Sequence, residues 1–193
     1  VADKGKPFLA TIIDESRRLN ALIQSFLDVA YIESGRQKLS LSNFDIHPVL
    51  RDMIGVLGPV AAEKNIRLEL SPETAAPLNV EGDRLLLYQA LTNLVTNAIK
   101  YSPQGTTVRI SAANGNGAME FSITDQGFGI PPEDAARIFE KFYRRGNPET
   151  LEQSGFGLGL SFVREVALRH GGDVSVQSEV GKGSTFILVV PNG

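Results

Sequence analysis

The chain has 193 residues, enough for one ordinary domain with a short appendage and too few for a multidomain enzyme. Hydrophobic residues make up 42% and charged residues 21%, a balance that supports a globular core and excludes a disordered or collagen-like chain. With 19 basic and 22 acidic side chains the formal charge is -3, which provides no positive field for a nucleic-acid backbone or an anionic membrane.

Cysteine is absent, which excludes disulfides, thiolate zinc sites and a cysteine nucleophile. His47 and His170, far apart in sequence, argue against a histidine-rich metal centre. The longest apolar run, Phe186 to Val190, is far shorter than the roughly 20 residues a bilayer span requires. The chain starts at Val1 with no leader pattern behind it, and is expected to be a fragment or a processed form.

From Pro7 to Ser34, Leu9, Ile12, Leu19, Ile23, Phe26 and Ala30 recur at intervals of three and four, interrupted at Ser16. A helix of about 27 residues is roughly 40 Å long, more than one face of so small a domain can cover. It either folds back on its own domain or pairs with another helix, and the narrow stripe favours pairing. Gly35 stops it.

Lys38 to Phe44 alternates Leu39 and Leu41 with Ser40 and Ser42, as a half-exposed strand does. A helix is expected over Val49 to Lys64, with Pro59 an awkward interior residue, and a strand over Ile66 to Leu70. Asp83 can cap a helix running to Lys100 whose buried side carries Leu87, Leu91, Leu94, Val95 and Ala98. Thr107 to Ala112 and Met119 to Asp125 read as strands around the hairpin turn Asn114-Gly115-Asn116-Gly117.

The segment from Gly127 to Gly159 is rich in glycine and proline, with a short helix from Pro132 to Phe139 inside it and a polar stretch from Arg144 to Ser154. A helix from Leu158 to His170 precedes strands Asp173 to Gln177 and Thr185 to Val190, joined through Glu179 to Gly183. Together these elements predict an α+β protein: a two-layer α/β sandwich, with a mixed, largely antiparallel sheet packed on three helices, preceded by one long helix.

Three polar residues break the apolar logic of the helix around Leu94. Spacings of four and three place Asn93, Asn97 and Lys100 on one face, either as a solvated stripe or as a site. In a site, an amide oxygen can hold a divalent cation and the ammonium can neutralise phosphate. Asp125, at a strand end, precedes Gly127, Gly129 and Ile130. This is either a plain turn or a place where a carboxylate accepts from an exocyclic amine while glycine lets backbone approach a flat ring. A second glycine cluster, Gly155, Gly157 and Gly159, runs into a helix amino terminus, where free N–H groups suit an anionic phosphate.

In combination these stretches resemble two-component sensor histidine kinases. Asn93 to Pro103 resembles their N box, Asp125 to Pro131 their G1 box, Ile138 to Tyr143 their F box and Gly155 to Leu160 their G2 box, in that order. His170-Gly171-Gly172 and Gly183-Ser184-Thr185-Phe186 fit the same family. Glu15, Arg18-Leu19 and Glu33-Ser34-Gly35 are similar to the second helix of its dimerisation and phosphotransfer hairpin.

The resemblance implies a Bergerat-type ATP-binding fold over residues 37–193, preceded by a partial dimerisation helix over residues 1–36. It implies that Asn97 supplies an oxygen to Mg²⁺, that Asn93 and Lys100 face the phosphates of ATP, and that Tyr101 packs on the adenine. Asp125 would accept from the adenine amino group, and Gly127, Gly129 and Ile130 would line the base. Residues from Tyr143 to Phe156 would form a lid in which Arg144 meets phosphate, and the G2 residues Gly155, Phe156, Gly157, Leu158, Gly159 and Leu160 would bind the nucleotide. Thr185 would sit near the adenine, and His170 would be structural. The implied partners are a second copy, through the first helix, and a cognate response regulator. The implied location is the cytoplasm, with a membrane reached only through upstream segments.

Two departures stand out. Phe156 occupies a G2 position that is usually small or hydroxylated. No H box is present, so neither His47 nor His170 is assigned as phosphoacceptor and no catalytic residue is named. Related ATP hydrolases resemble Glu-x-x-x-Asn in the N box, with glutamate as the base for water. Asn93 is an amide that cannot take a proton at neutral pH, which favours transfer over hydrolysis. A non-catalytic, nucleotide-gated dimerisation module is the other alternative.

Overall fold

The structure, a computed structural model, describes residues 5–35, 38–75, 77–144 and 155–192. Helix α1 spans Gly5–Glu33. Leu9, Ile12, Leu19 and Ile23 of the predicted seam are 46–59% exposed, while Val29 and Ile32 are buried against the domain. The carboxyl-terminal end of the helix therefore packs on the domain, while those four seam residues stay exposed.

The first strand, β1, is Leu41–Asp45, shifted from the predicted Lys38 to Phe44. Helix α2, Ile46–Glu63, starts three residues earlier than expected because Asp45 is its N-cap and accepts from the His47 amide. Pro59 lies within α2 without ending it. Pro59 and Gly55, whose carbonyl loses its helical donor, both lie on the exposed face, where water can replace the bond.

Strand β2, Arg67–Leu70, is followed by a 3-10 turn, Pro72–Ala75, and by β3, Asn79–Asp83, which has no counterpart in the sequence reading. Helix α3, Arg84–Tyr101, begins on Asp83, whose carboxylate accepts from the amides of Leu85 and Leu86. Strands β4, Thr107–Gly115, and β5, Ala118–Thr124, form the expected hairpin. Its turn narrows to Asn116 and Gly117, with φ of 50° and 78°, the conformation asparagine and glycine adopt most readily. The predicted helix from Pro132 to Phe139 is instead one turn, α4, Pro132–Ala135, followed by a 3-10 turn, Arg137–Phe139. Helix α5, Gly159–Arg169, and the hairpin β6, Asp173–Glu179, with β7, Gly183–Pro191, complete the described chain.

One sheet has the order β2-β4-β5-β7-β6, with β2 and β4 parallel and the other pairs antiparallel; β1 and β3 pair separately. Register aligns Ile110, Ile123, Phe186 and Val176 in one row and Ala112, Phe121, Leu188 and Val174 in the next. These rows meet the apolar faces of α2, α3 and α5, forming one continuous core. Fully buried side chains such as Phe121, Leu91 and Met53 each contribute about 1.5 to 3 kcal/mol. The result is the expected α+β sandwich, with the polar stripe of α3 left uncovered at one edge.

His170 ties two helices of the same layer together. Its Nε2 accepts the Asp83 amide at 2.9 Å and its Nδ1 faces the Val166 carbonyl at 2.8 Å, joining α5 to the start of α3. No helix among the described residues is long and apolar enough to cross a membrane.

Candidate functional site

Since α3 buries Leu87, Leu91, Leu94 and Ala98, its polar face, Asn93, Thr96, Asn97 and Lys100, turns into a cavity of about 300 Å³. Asn93 Nδ2 donates to the Gln89 carbonyl at 3.0 Å, which fixes the amide and sends Oδ1 toward Gly159. A Cβ on Gly159 would come within 2.8 Å of that oxygen, so the glycine is what lets α5 start here. Lys100 Nζ donates to the Tyr101 hydroxyl at 3.0 Å and lies 4.6 Å from its ring centre. Lys64 caps the helix end, donating to the carbonyls of Ile99 and Lys100 at 3.2 and 2.8 Å.

The second wall is the corner after β5. Asp125 is buried, and its Oδ1 accepts from the amides of Gly127 and Ser184 at 2.8 and 3.1 Å. Both bonds use the same oxygen, so Oδ2 is available to a ligand donor. Burial pushes this carboxyl above the usual range, and the two amide bonds pull the other way. The loop beyond it is held against the β6–β7 hairpin by Ile130 N to Ser178 Oγ and Gly181 N to Phe128 O, both 2.8 Å. Gly129, at φ 69°, lies so close to the Glu179 carbonyl that a side chain would collide with it.

The third wall joins Ile138, Tyr143 and Arg144 to Gly155, Phe156, Gly157 and Leu160. The Tyr143 hydroxyl donates to Asp134 Oδ1 at 2.5 Å, and this bond pushes the phenol above its ordinary pKa. The Phe142 amide donates to the Gly157 carbonyl at 2.9 Å, which brings the two ends of the predicted lid together. Residues 145–154 of that lid lie outside the described residues.

Of the residues singled out in the sequence, Asn93, Asn97, Lys100, Tyr101, Asp125, Gly129, Ile130, Tyr143, Arg144, Gly155, Phe156, Gly157, Leu158, Gly159 and Leu160 all line this cavity. Gly127 lies behind it and serves through its amide to Asp125. Thr185 does not line it: strand alternation turns this residue to the open face of the sheet, where its hydroxyl meets that of Thr124 at 3.0 Å. Its neighbours Ser184 and Phe186 face the cavity instead, as counting in twos along β7 could have shown. Thr96, Phe128, Asp134 and Ser25 of α1 also line it; Thr96 and Phe128 fall inside the N and G1 boxes without a role assigned to them, and Asp134 and Ser25 lie outside all four boxes.

Two carboxylates, Asp125 and Asp134, are among the lining residues, and both accept hydrogen bonds from the protein. Among the described residues, no group of three or more histidine, cysteine, aspartate or glutamate side chains could hold a metal. The cavity also holds the neutral amide oxygens of Asn93 and Asn97 on α3, which can serve as donors to a hard cation. These suit Mg²⁺, which is commonly held by one or two side chains together with substrate phosphates.

Residues 82–193 match the family described as histidine kinase-, DNA gyrase B- and HSP90-like ATPase. The sensor-like histidine kinase SenX3 of Mycobacterium tuberculosis (strain ATCC 25618 / H37Rv) is 35% identical over 184 residues, covering 95% of this chain and 44% of that protein. The crystal structure of full-length ShkA in complex with AMPPNP superposes with a TM-score of 0.86 at 29% identity, covering 100% of this chain and 40% of that one. The mycobacterial sensor histidine kinase MprB superposes at 0.68 with 30% identity, covering 79% of this chain and 97% of that one. The chain thus spans less than half the length of the curated relative.

Proposed function

The chain belongs to the histidine kinase-, DNA gyrase B- and HSP90-like ATPase family, as an ATP-binding catalytic domain of the sensor histidine kinase type, and from that premise we propose that it delivers the γ-phosphoryl group of ATP to a histidine outside its 193 residues. The observation that supports an outside acceptor is the state of its own two histidines. His47 is buried, with Nδ1 on Asp45 and Nε2 on the Thr74 carbonyl; His170 is bonded through both nitrogens; neither lines the cavity.

In this reading Asp125 Oδ2 accepts the adenine amino group, Tyr101, Gly129 and Ile130 flank the base, and Lys100 and Arg144 meet the phosphates. Asn97 holds Mg²⁺ through its amide oxygen, with Asn93 beside it. The chemistry Mg²⁺ supplies there is neutralisation of phosphate charge. The chain's contribution is positioning and charge compensation, with no free base to activate water among the described lining residues: Asn93 cannot accept a proton, and Asp125 and Asp134 are already engaged.

Residues 1–36 are read as part of the dimerisation helix and 37–193 as the catalytic domain. The exposed seam of α1 pairs with a second copy, and a response regulator receives the phosphoryl group in turn. The whole protein works in the cytoplasm, with any membrane anchor supplied by segments upstream.

Incubation with γ-labelled ATP tests the proposal. The chain alone should remain unlabelled and release little phosphate, and a polypeptide carrying the upstream hairpin should acquire an acid-labile, base-stable phosphate. Labelling of His47 or His170, or steady hydrolysis by the chain alone, would contradict it.

A further inference from the structure

Asp134 lines the cavity, yet a carboxylate facing a phosphate-binding site is an unfavourable neighbour unless its charge is taken up. The Tyr143 hydroxyl does this at 2.5 Å across nine residues, and the Arg137 guanidinium stacks on the same ring at 4.5 Å. The backbone at this point is held as well: the Phe142 amide is bonded to the Gly157 carbonyl, and a side chain on Gly157 would come within 2.7 Å of the Tyr143 carbonyl. Arg144 follows directly and lines the cavity.

We propose that Asp134 is a positioning residue for nucleotide binding: by latching the Tyr143 hydroxyl it fixes the turn that aims Arg144 at the phosphates. The inference rests on the reading of the site given above, in which Arg144 is a phosphate contact. Its effect belongs to the phosphate end alone, because the adenine corner at Asp125 is built from other elements.

The test is the ratio of ATP to adenosine affinity, measured by calorimetry on the full chain. Tyr143→Phe keeps the ring under Arg137 and removes the hydroxyl; it should lower the ratio about fivefold. Asp134→Ala should lower it by a similar factor, and the double variant by no more than Tyr143→Phe alone, since both break one bond. Asp134→Asn retains an acceptor oxygen and should stay within about twofold of wild type.

A ratio unchanged in Tyr143→Phe and Asp134→Ala would overturn the proposal. Losses that multiply in the double variant, or that fall equally on ATP and adenosine as a merely structural role would have it, would also overturn it. A wild-type chain that binds ATP no better than adenosine would overturn the reading of the phosphate site itself. Variants matching a wild type that prefers ATP would overturn the latch alone.

Discussion

Phe26 of α1 stacks on Phe142, with ring centres 6.4 Å apart and planes inclined by 25°. Phe142 holds a φ of 62°, a conformation that disfavours a bulky side chain, and Lys141 beside it is paired with Glu33 of the same helix at 2.5 Å. The end of α1 therefore grips the segment that enters the lid. Phe26→Ala should destabilise the fold by about 0.5 to 1 kcal/mol, both rings being half exposed, and a cycle with Phe142→Ala should show coupling of the same order. Urea denaturation of the four proteins measures this, and additive losses would mean the stack contributes nothing.

Asp125→Asn separates binding from stability. The amide keeps an oxygen for Gly127 and Ser184 but loses the charge, so ATP affinity should fall by about 1 to 3 kcal/mol while stability at neutral pH holds or rises. Because burial raises this carboxyl above 3.8, its contribution to stability is present below that value and fades as pH rises through the raised one. Affinity for ATP runs the opposite way, weakening as acidification protonates this raised carboxyl. Calorimetry across pH should show that inflection in the wild type and not in the variant.

Asn97→Ala should remove the gain in ATP affinity produced by Mg²⁺, roughly tenfold or about 1.4 kcal/mol, and leave adenosine binding intact. Titrations with and without the cation distinguish this from a general loss of the site, in which adenosine would weaken too.

Asp45 stabilises α2 away from the site. Its carboxyl is held below the usual value, first by the His47 amide, then by the His47 ring. A lowered value means stability that is present above about 4 and lost as pH falls through the folded value. Asp45→Asn should therefore be less stable than wild type at neutral pH, with the difference shrinking in acid. Thermal melts at several pH values check this.

The parts of the fold that local chemistry specifies were legible in the residues. Asp83 announces α3, Asn116-Gly117 announces the hairpin, and a 3.6-residue period separates the buried face of α3 from Asn93 and Asn97. Strand β3 is not legible because Val80 is its one buried apolar side chain, and what calls for glycine at position 82 is a tertiary contact, the close approach of Leu87 and His170. A motif supplies spacing without strand register, so the resemblance names Thr185 while the register turns Ser184 and Phe186 into the cavity. Contacts such as Phe26 with Phe142 and Asp134 with Tyr143 depend on tertiary approach, which no periodicity encodes.

A crystal structure of the chain with Mg²⁺ and a non-hydrolysable ATP analogue tests the central claim most directly. The account predicts the adenine amino group within hydrogen-bond distance of Asp125 and the cation on the Asn97 amide oxygen, with the phosphates between α3 and the start of α5. A purine bound away from Asp125, or a cation that bypasses Asn97, would contradict it.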